Sequence, residues 1–239
     1  MSAAADAATA LGEDLAGRVL YRDGLMLVID KPAGIAVHAG PKGGLTLDAG
    51  FEALRFGLPR PPQLAHRLDR ETSGCLVLGR HPKALASLGR LFASGRVEKT
   101  YLAVLRGKLP AAEGRIELPL SKRSATRGWW MKADPEGQPA VTEYRVLAVG
   151  DSLSLVKLSP LTGRTHQLRV HMAAEGAPIL GDRIYGREPA PPAGPPLHLH
   201  AWRIRVPLYP RRPPIEVEAP LPATFKATLD GLGWHCPAE

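Results

Sequence analysis

Short apolar runs, set in neighbouring pairs across polar turns, restrict this chain to a fold built from hairpins. Arg18–Tyr21 and Leu25–Asp30 flank Arg22-Asp23-Gly24, and Val141–Ala148 and Leu153–Leu158 flank Gly150-Asp151. Further strand-like runs lie at Cys75–Gly79, Lys99–Leu105, Arg115–Leu120, Leu197–Val206 and Ile215–Glu218. Helical spacing is confined to fewer segments. Pro82–Ser94 carries Leu85, Leu88, Leu91 and Phe92 on one stripe, with Pro82 suited to a first turn and Gly95 to a stop. Thr46–Phe56, with Thr46 as N-cap, Thr165–Glu175 before Gly176, and Ala223–Leu229 read as three more helices. Strands outnumber helices and adjacent strands return on each other. The expected class is α+β with a largely antiparallel sheet rather than a doubly wound parallel one.

The 239 residues suffice for one sizeable core. Residues 1–17, Ala-rich and acidic, are expected to be a flexible tail rather than a signal peptide, and 18–239 a single domain. The five prolines of Glu188–Pro196 read as a surface loop within it. No apolar run approaches the roughly 18 residues that span a bilayer, so no membrane partner is expected. Cys75 and Cys236 lie far apart without metal-type spacing, which suits reduced thiols in a cytoplasmic protein.

The net charge of +8 is unevenly placed. Between Arg80 and Lys132 twelve Lys/Arg face three Asp/Glu, which leaves the rest of the chain near neutral. A basic stretch of this kind is the footprint of a phosphate backbone, with a merely solubilising surface as the alternative.

Chemistry concentrates in His66-Arg67-Leu68-Asp69-Arg70-Glu71-Thr72-Ser73-Gly74. Two guanidinium groups beside one carboxylate favour its ionised form, ready as nucleophile or base, and can also hold a polyanion. A solvated salt-bridge cluster is the plainer reading. Three other segments stand out: Lys99-Thr100-Tyr101, Thr162–His171 and Gly181–Gly186. On a helix from Thr165, Thr165 and Arg169 share a face. Metal chemistry finds little support, since His166 and His171 are five apart and His198 and His200 lack a third ligand. Phosphate-loop, serine-elbow and dinucleotide patterns are not found. A glycoside hydrolase needs a second, suitably separated carboxylate, and Glu71 is close in sequence.

In their order, Leu27–Gly34, His66–Gly74, Lys99–Tyr101, Thr162–His171 and Pro178–Asp182 resemble the RluA family of pseudouridine synthases from about Val19 to Phe225. Glu71 departs from that pattern only in a variable slot. The resemblance implies a mixed, largely antiparallel bent sheet with flanking helices and loops, the pseudouridine synthase catalytic domain. It implies isomerisation of uridine in ribosomal or transfer RNA; that reaction has no net redox change or group transfer, so no cofactor is expected, and the protein is expected to be a monomer. It implies Asp69 as the catalytic aspartate, Tyr101 stacked on the target uracil, and Arg169 as the partner of Asp69, with Arg164 second choice for that pairing. Arg67 would hold or replace the extruded nucleotide, and His66, Arg70, Arg164 and Lys99 would contact substrate. Too few residues precede the first strand for the S4-type RNA-binding domain that related enzymes often carry, so RNA contact is expected from the basic stretch and the Lys122–Lys132 insertion. Trp129 and Trp130 either stack on RNA or pack beneath a loop. An RNA-binding or ribosome-assembly module without catalysis is the competing class.

Overall fold

The computed structural model describes residues 3–38, 43–123, 130–186 and 194–236. Its elements in chain order are α1 (Ala3–Gly17), β1 (Val19–Arg22), β2 (Met26–Lys31), a 3-10 helix (Leu47–Leu54), β3 (Gln63–Leu64), β4 (Ser73–Gly79), α2 (Pro82–Ala93) and β5 (Glu98–Arg106). There follow β6 (Glu113–Glu117), β7 (Leu120–Lys122), β8 (Met131–Ala133), β9 (Val141–Val149), β10 (Leu153–Pro160), α3 (Gln167–Ala174), β11 (Leu199–Val206), β12 (Ile215–Glu218) and α4 (Ala223–Gly231). They form two compact units, residues 1–98 with 201–220 and residues 99–200 with 221–239. The α+β class and the mostly antiparallel sheet are as the sequence predicts.

In the first unit β2 pairs antiparallel with both β1 and β4, and β12 pairs antiparallel with β11. Every residue of β4 is buried, which explains why Cys75–Gly79 reads as continuously apolar rather than alternating. One core joins Met26, Val28, Cys75 and Val77 to Leu88 and Leu91 of α2 and to Ile204, Val206 and Val217. The helix α2 starts as expected at Pro82, where the ring Nδ1 of His81 accepts the Ala84 N–H at 3.2 Å. Gly74 adopts φ +105°, and a Cβ there would lie 2.2 Å from the carbonyl oxygen of Ala201. Because the obstacle is backbone, Gly74→Ala is expected to cost about 3 kcal/mol or more, read as a fall in the urea midpoint or loss of soluble protein. A stability like that of the wild type would refute this close approach.

In the second unit β5, β10, β9 and β6 lie side by side in that order, each pair antiparallel, and β7 and β8 form a separate hairpin. Ala103, Leu105, Tyr144, Val156, Leu158, Leu168, Met172 and Ile179 close its core.

Four expectations change. Residues 3–17, expected as a tail, are the helix α1: Leu15 is fully buried, and Gly12 approaches the 3-10 helix so closely that a Cβ would sit 2.9 Å from that of Ala53. The 46–56 helix is 3-10 in form, and Thr46 makes no side-chain cap. The Arg115–Leu120 strand stops at Glu117, and a new strand begins after Pro119, which has no N–H for a ladder. The 165–175 helix begins only at Gln167, because His166 takes the left-handed φ of +53°; Thr165 therefore shares no helical face with Arg169. Trp129 and most of Glu188–Pro196 lie outside the described residues.

Candidate active site

The first unit supplies the Asp69 loop. It leaves β3, passes His66 and enters β4 at Ser73. The His66 ring is held by this scaffold: its Nε2 accepts the Val77 N–H at 3.0 Å and it stacks on Phe92 with centroids 4.5 Å apart. Leu68 is buried beneath, Arg67 and Arg70 are exposed, and Asp69 is half-buried between them. A turn closes where the Thr72 N–H donates to the Asp69 carbonyl at 3.1 Å. Arg70 and Gly34 clasp each other, Gly34 N–H to the Arg70 carbonyl at 2.9 Å and Arg70 Nε to the Gly34 carbonyl at 2.8 Å. The Arg70 guanidinium also lies 3.4 Å from the Glu71 carboxylate.

Beneath the loop lies a residue to which the sequence reading gave no role. Lys31, at the end of β2, is fully buried. Its Nζ donates to the carbonyls of Pro32, Arg70 and Thr72 at 2.7, 3.1 and 3.0 Å, so one ammonium holds the backbone on both sides of Glu71. Burial pushes this ammonium down to about 8, against the opposing pull of Glu71, Asp69 and Asp30. The only sequence signal was a lysine directly after the apolar run of β2. With the folded value below the ordinary 10.5, the cost of the buried charge is present below pH 8 and relieved as pH rises towards 10.5. Over that interval the urea midpoint of the wild type is expected to rise relative to that of Lys31→Met. The variant should also lose activity by up to about 10²-fold through misplacement of Asp69. A midpoint difference that stays flat from pH 8 to 10.5 would refute the buried-charge account.

The second unit carries the remaining candidates. Tyr101 sits at the start of β5, opposite Leu158 of β10, and is half-buried against the core. Two residues earlier, Lys99 Nζ donates to the Thr162 carbonyl at 3.2 Å, and burial pushes its ammonium down. The turn from Thr162 into α3 is organised by Gln167. Its Oε1 accepts from Thr162 Oγ1 and the Arg164 N–H at 2.7 and 3.0 Å, and its Nε2 donates to the Val141 carbonyl and Thr142 Oγ1 at 2.9 and 3.0 Å. The exposed Arg164 donates through Nε to the Pro139 carbonyl at 3.1 Å.

Arg169, expected opposite Asp69, is gripped by Asp182. Nε and Nη2 donate to the two carboxylate oxygens, each at 2.8 Å, with side-chain exposures of 6% and 0%. Burial alone would raise the Asp182 carboxyl, but Arg169 and the N–H groups of Ile184 and Tyr185 outweigh it and hold the group below its ordinary value. Tyr185 completes the assembly. Its ring lies 5.2 Å from the Arg169 guanidinium, and its hydroxyl meets His166 Nδ1 at 2.7 Å and accepts the Met131 N–H at 2.9 Å. The polar turn Gly181–Gly186 is thus the clamp that orients Arg169. On the β7–β8 hairpin, the Arg123 guanidinium lies over the ring of Trp130 at 5.7 Å.

Among the described residues no group of His, Cys, Asp and Glu is placed to hold a metal ion, and no helix is long and apolar enough to cross a membrane. The first unit thus carries a half-buried carboxylate on a fixed loop, and the second, taken by itself, carries a clamped guanidinium and a strand tyrosine.

Comparison with known proteins identifies the class. The sequence model of the RNA pseudouridylate synthase family matches residues 25–174, which include Asp69, Tyr101 and Arg169. An uncharacterized RNA pseudouridine synthase of Zymomonas mobilis is 45% identical over 88% of this chain and 96% of its own length. The ribosomal large subunit pseudouridine synthase C of Vibrio vulnificus is 34% identical over 92% of this chain and 70% of its own. Of three other curated relatives the chain spans between 54% and 57% of the length. Among solved structures, human RNA pseudouridylate synthase domain containing 4 superposes with a TM-score of 0.82 at 28% identity, covering 98% of this chain and 99% of that one. The chain belongs to the RNA pseudouridylate synthases of the RluA family, which are isomerases.

Proposed function

We propose that this protein converts specific uridines of large-subunit ribosomal RNA to pseudouridine, with Asp69 as the catalytic group and residues 18–239 working as one catalytic domain. The supporting observation is the half-buried Asp69 on a loop whose backbone is pinned from below by the fully buried Lys31. The reaction breaks the bond from C1′ to N1, turns the uracil, and forms the bond from C1′ to C5. N1 gains a proton and C5 loses one, so no redox partner or group donor enters the balance. Positive charge develops at C1′ as the first bond breaks, and an ionised carboxylate stabilises or traps it. Asp69 acts there as a nucleophile at C1′ or as a base on the ribose; both need the ionised form.

Tyr101 stacks on the uracil and serves the proton step at C5, and Arg169, set by Asp182, is the cation that faces Asp69. His66, Arg67, Arg70, Lys99 and Arg164 contact the substrate, with Arg67 holding the place of the extruded nucleotide. Flipping that nucleotide costs a few kcal/mol, which phosphate contacts from the basic Arg80–Lys132 stretch offset. Ribosomal RNA is favoured because several relatives are named for the ribosomal large subunit.

Incubation of the protein with unmodified large-subunit ribosomal RNA and with unmodified transfer RNA, followed by pseudouridine mapping, tests this. Conversion in ribosomal RNA is expected. Conversion in transfer RNA alone would overturn the substrate, and none in either would overturn the reading.

A further inference from the structure

We propose that the surface around Asp23 is a second RNA-binding face, which grips the phosphate backbone of a strand running beyond the target nucleotide; this rests on RNA being the substrate.

Four segments distant in sequence meet here, all in the first unit. Asp23 is the knot. Its Oδ1 accepts the Leu25 and Met26 N–H groups at 2.7 and 2.8 Å, and its Oδ2 accepts the Tyr21 and Tyr209 hydroxyls at 2.8 and 2.7 Å. Arg80 ties the same turn to the next segment, donating to the carbonyls of Asp23, Arg55 and Phe56. On this frame arginines lie on aromatic rings: Arg22 is 4.5 Å from the ring centre of Phe56, and Arg212 is 5.2 Å from that of Tyr209. Arg22, Arg211 and Arg212 are exposed, and Phe56 keeps 36% of its surface open.

The chemistry selects the ligand. Arg22, Arg55, Arg80, Arg211 and Arg212 stand against Asp23 and Glu52, a net charge of +3. The Asp23 oxygens are taken up by four hydrogen bonds and Glu52 pairs with Arg55 at 2.7 Å, so neither carboxylate ties down Arg22, Arg211 or Arg212. Guanidinium groups held over aromatic rings beside exposed apolar surface suit phosphates and bases of single-stranded nucleic acid.

Position selects the strand. Met26 and Gly79 pair at one end of β2–β4, beside Asp23 and Arg80, whereas Lys31 and Gly74 pair at the other, beneath the Asp69 loop. Five residue steps of strand separate the two ends by about 17 Å, or about five nucleotides stacked at 3.4 Å. A strand with its target at Asp69 reaches the arginines by that extension.

The test is a titration of fluorescein-labelled single-stranded oligouridine, followed by anisotropy over a series of potassium chloride concentrations. Wild type is compared with Arg22→Glu/Arg212→Glu and with the milder Arg22→Gln/Arg212→Gln, each first checked for an unchanged melting temperature. If the glutamate pair fails to fold, the glutamine pair carries the comparison. Affinity should fall about ten-fold at low salt. The slope of log affinity against log salt should shrink by about 1.4, two phosphate contacts at about 0.7 each. Unchanged affinity and slope would overturn the proposal. So would intact RNA binding with lost binding to phosphatidylglycerol vesicles, which would make the face a lipid surface. Because the readout is binding, a wild type that binds RNA but forms no pseudouridine counts against the isomerase reading alone.

Discussion

Asp69→Asn is expected to reduce pseudouridine formation to background, a fall of about 10³-fold or more, while the protein stays folded and binds RNA. The amide has the size of the carboxylate but carries no charge, so it neither stabilises positive charge at C1′ nor takes a proton from the ribose. The loop should survive the change because main-chain groups anchor it on both sides of Glu71. Lys31 holds the carbonyls of Arg70 and Thr72, Gly34 clasps Arg70, and the Thr72 N–H bonds the carbonyl of Asp69 itself. Stability should move by no more than about 0.5 kcal/mol, or about 1–2 °C. Three measurements suffice: pseudouridine yield, a thermal melt and an RNA-binding isotherm. Undiminished conversion by a well-folded variant would remove Asp69 from the mechanism. A collapsed melting temperature would mean that its side chain is structural.

The largest effect on stability is expected from Asp182→Ala. The Asp182 side chain is fully buried and Arg169 nearly so, and truncation removes the two-oxygen carboxylate clamp from an enclosed guanidinium. Breaking a buried pair in this way costs about 3–5 kcal/mol, on the order of 10 °C for a chain of this length. The Ile184 and Tyr185 N–H groups lose their acceptor at the same time. The double variant Asp182→Leu/Arg169→Met should recover part of the loss, since it buries no charge.

The pH dependence has a definite sign. The Asp182 carboxyl lies below its ordinary value in the folded protein. Its contribution is therefore fully present above the unfolded value of about 3.9 and is lost as pH falls through the folded one. The difference between wild type and Asp182→Asn in urea melts should be constant near neutrality and shrink only in acid. A difference that shrinks between pH 6 and 8 would show that another group controls the site.

The sequence by itself determined what local chemistry can determine. The hairpins β1–β2 and β9–β10 and the helix α2 follow from apolar period, turn residues and a proline at the first helical turn, none of which needs a distant partner. The Asp69 loop was equally plain, because a carboxylate between two arginines before an apolar strand is contiguous text. The same reading misjudged residues 3–17. Their Ala content and the i, i+4 spacing of Leu11 and Leu15 are helical signals, but nothing in them announces the 3-10 helix on which they pack.

Tertiary structure decided the rest. It selected Lys31 from thirty-one cations by removing it from water, which no neighbouring residue signals. It clamped Arg169 with Asp182, thirteen positions away, and turned His166 into a left-handed conformation that postponed the start of α3. It also gathered Arg22, Phe56, Arg80 and Arg212 from stretches that counted, apart from Arg80, as near neutral. The division has one physical cause. Backbone conformation answers to a few adjacent residues, whereas burial and the orientation of charge depend on whatever the folded chain brings near.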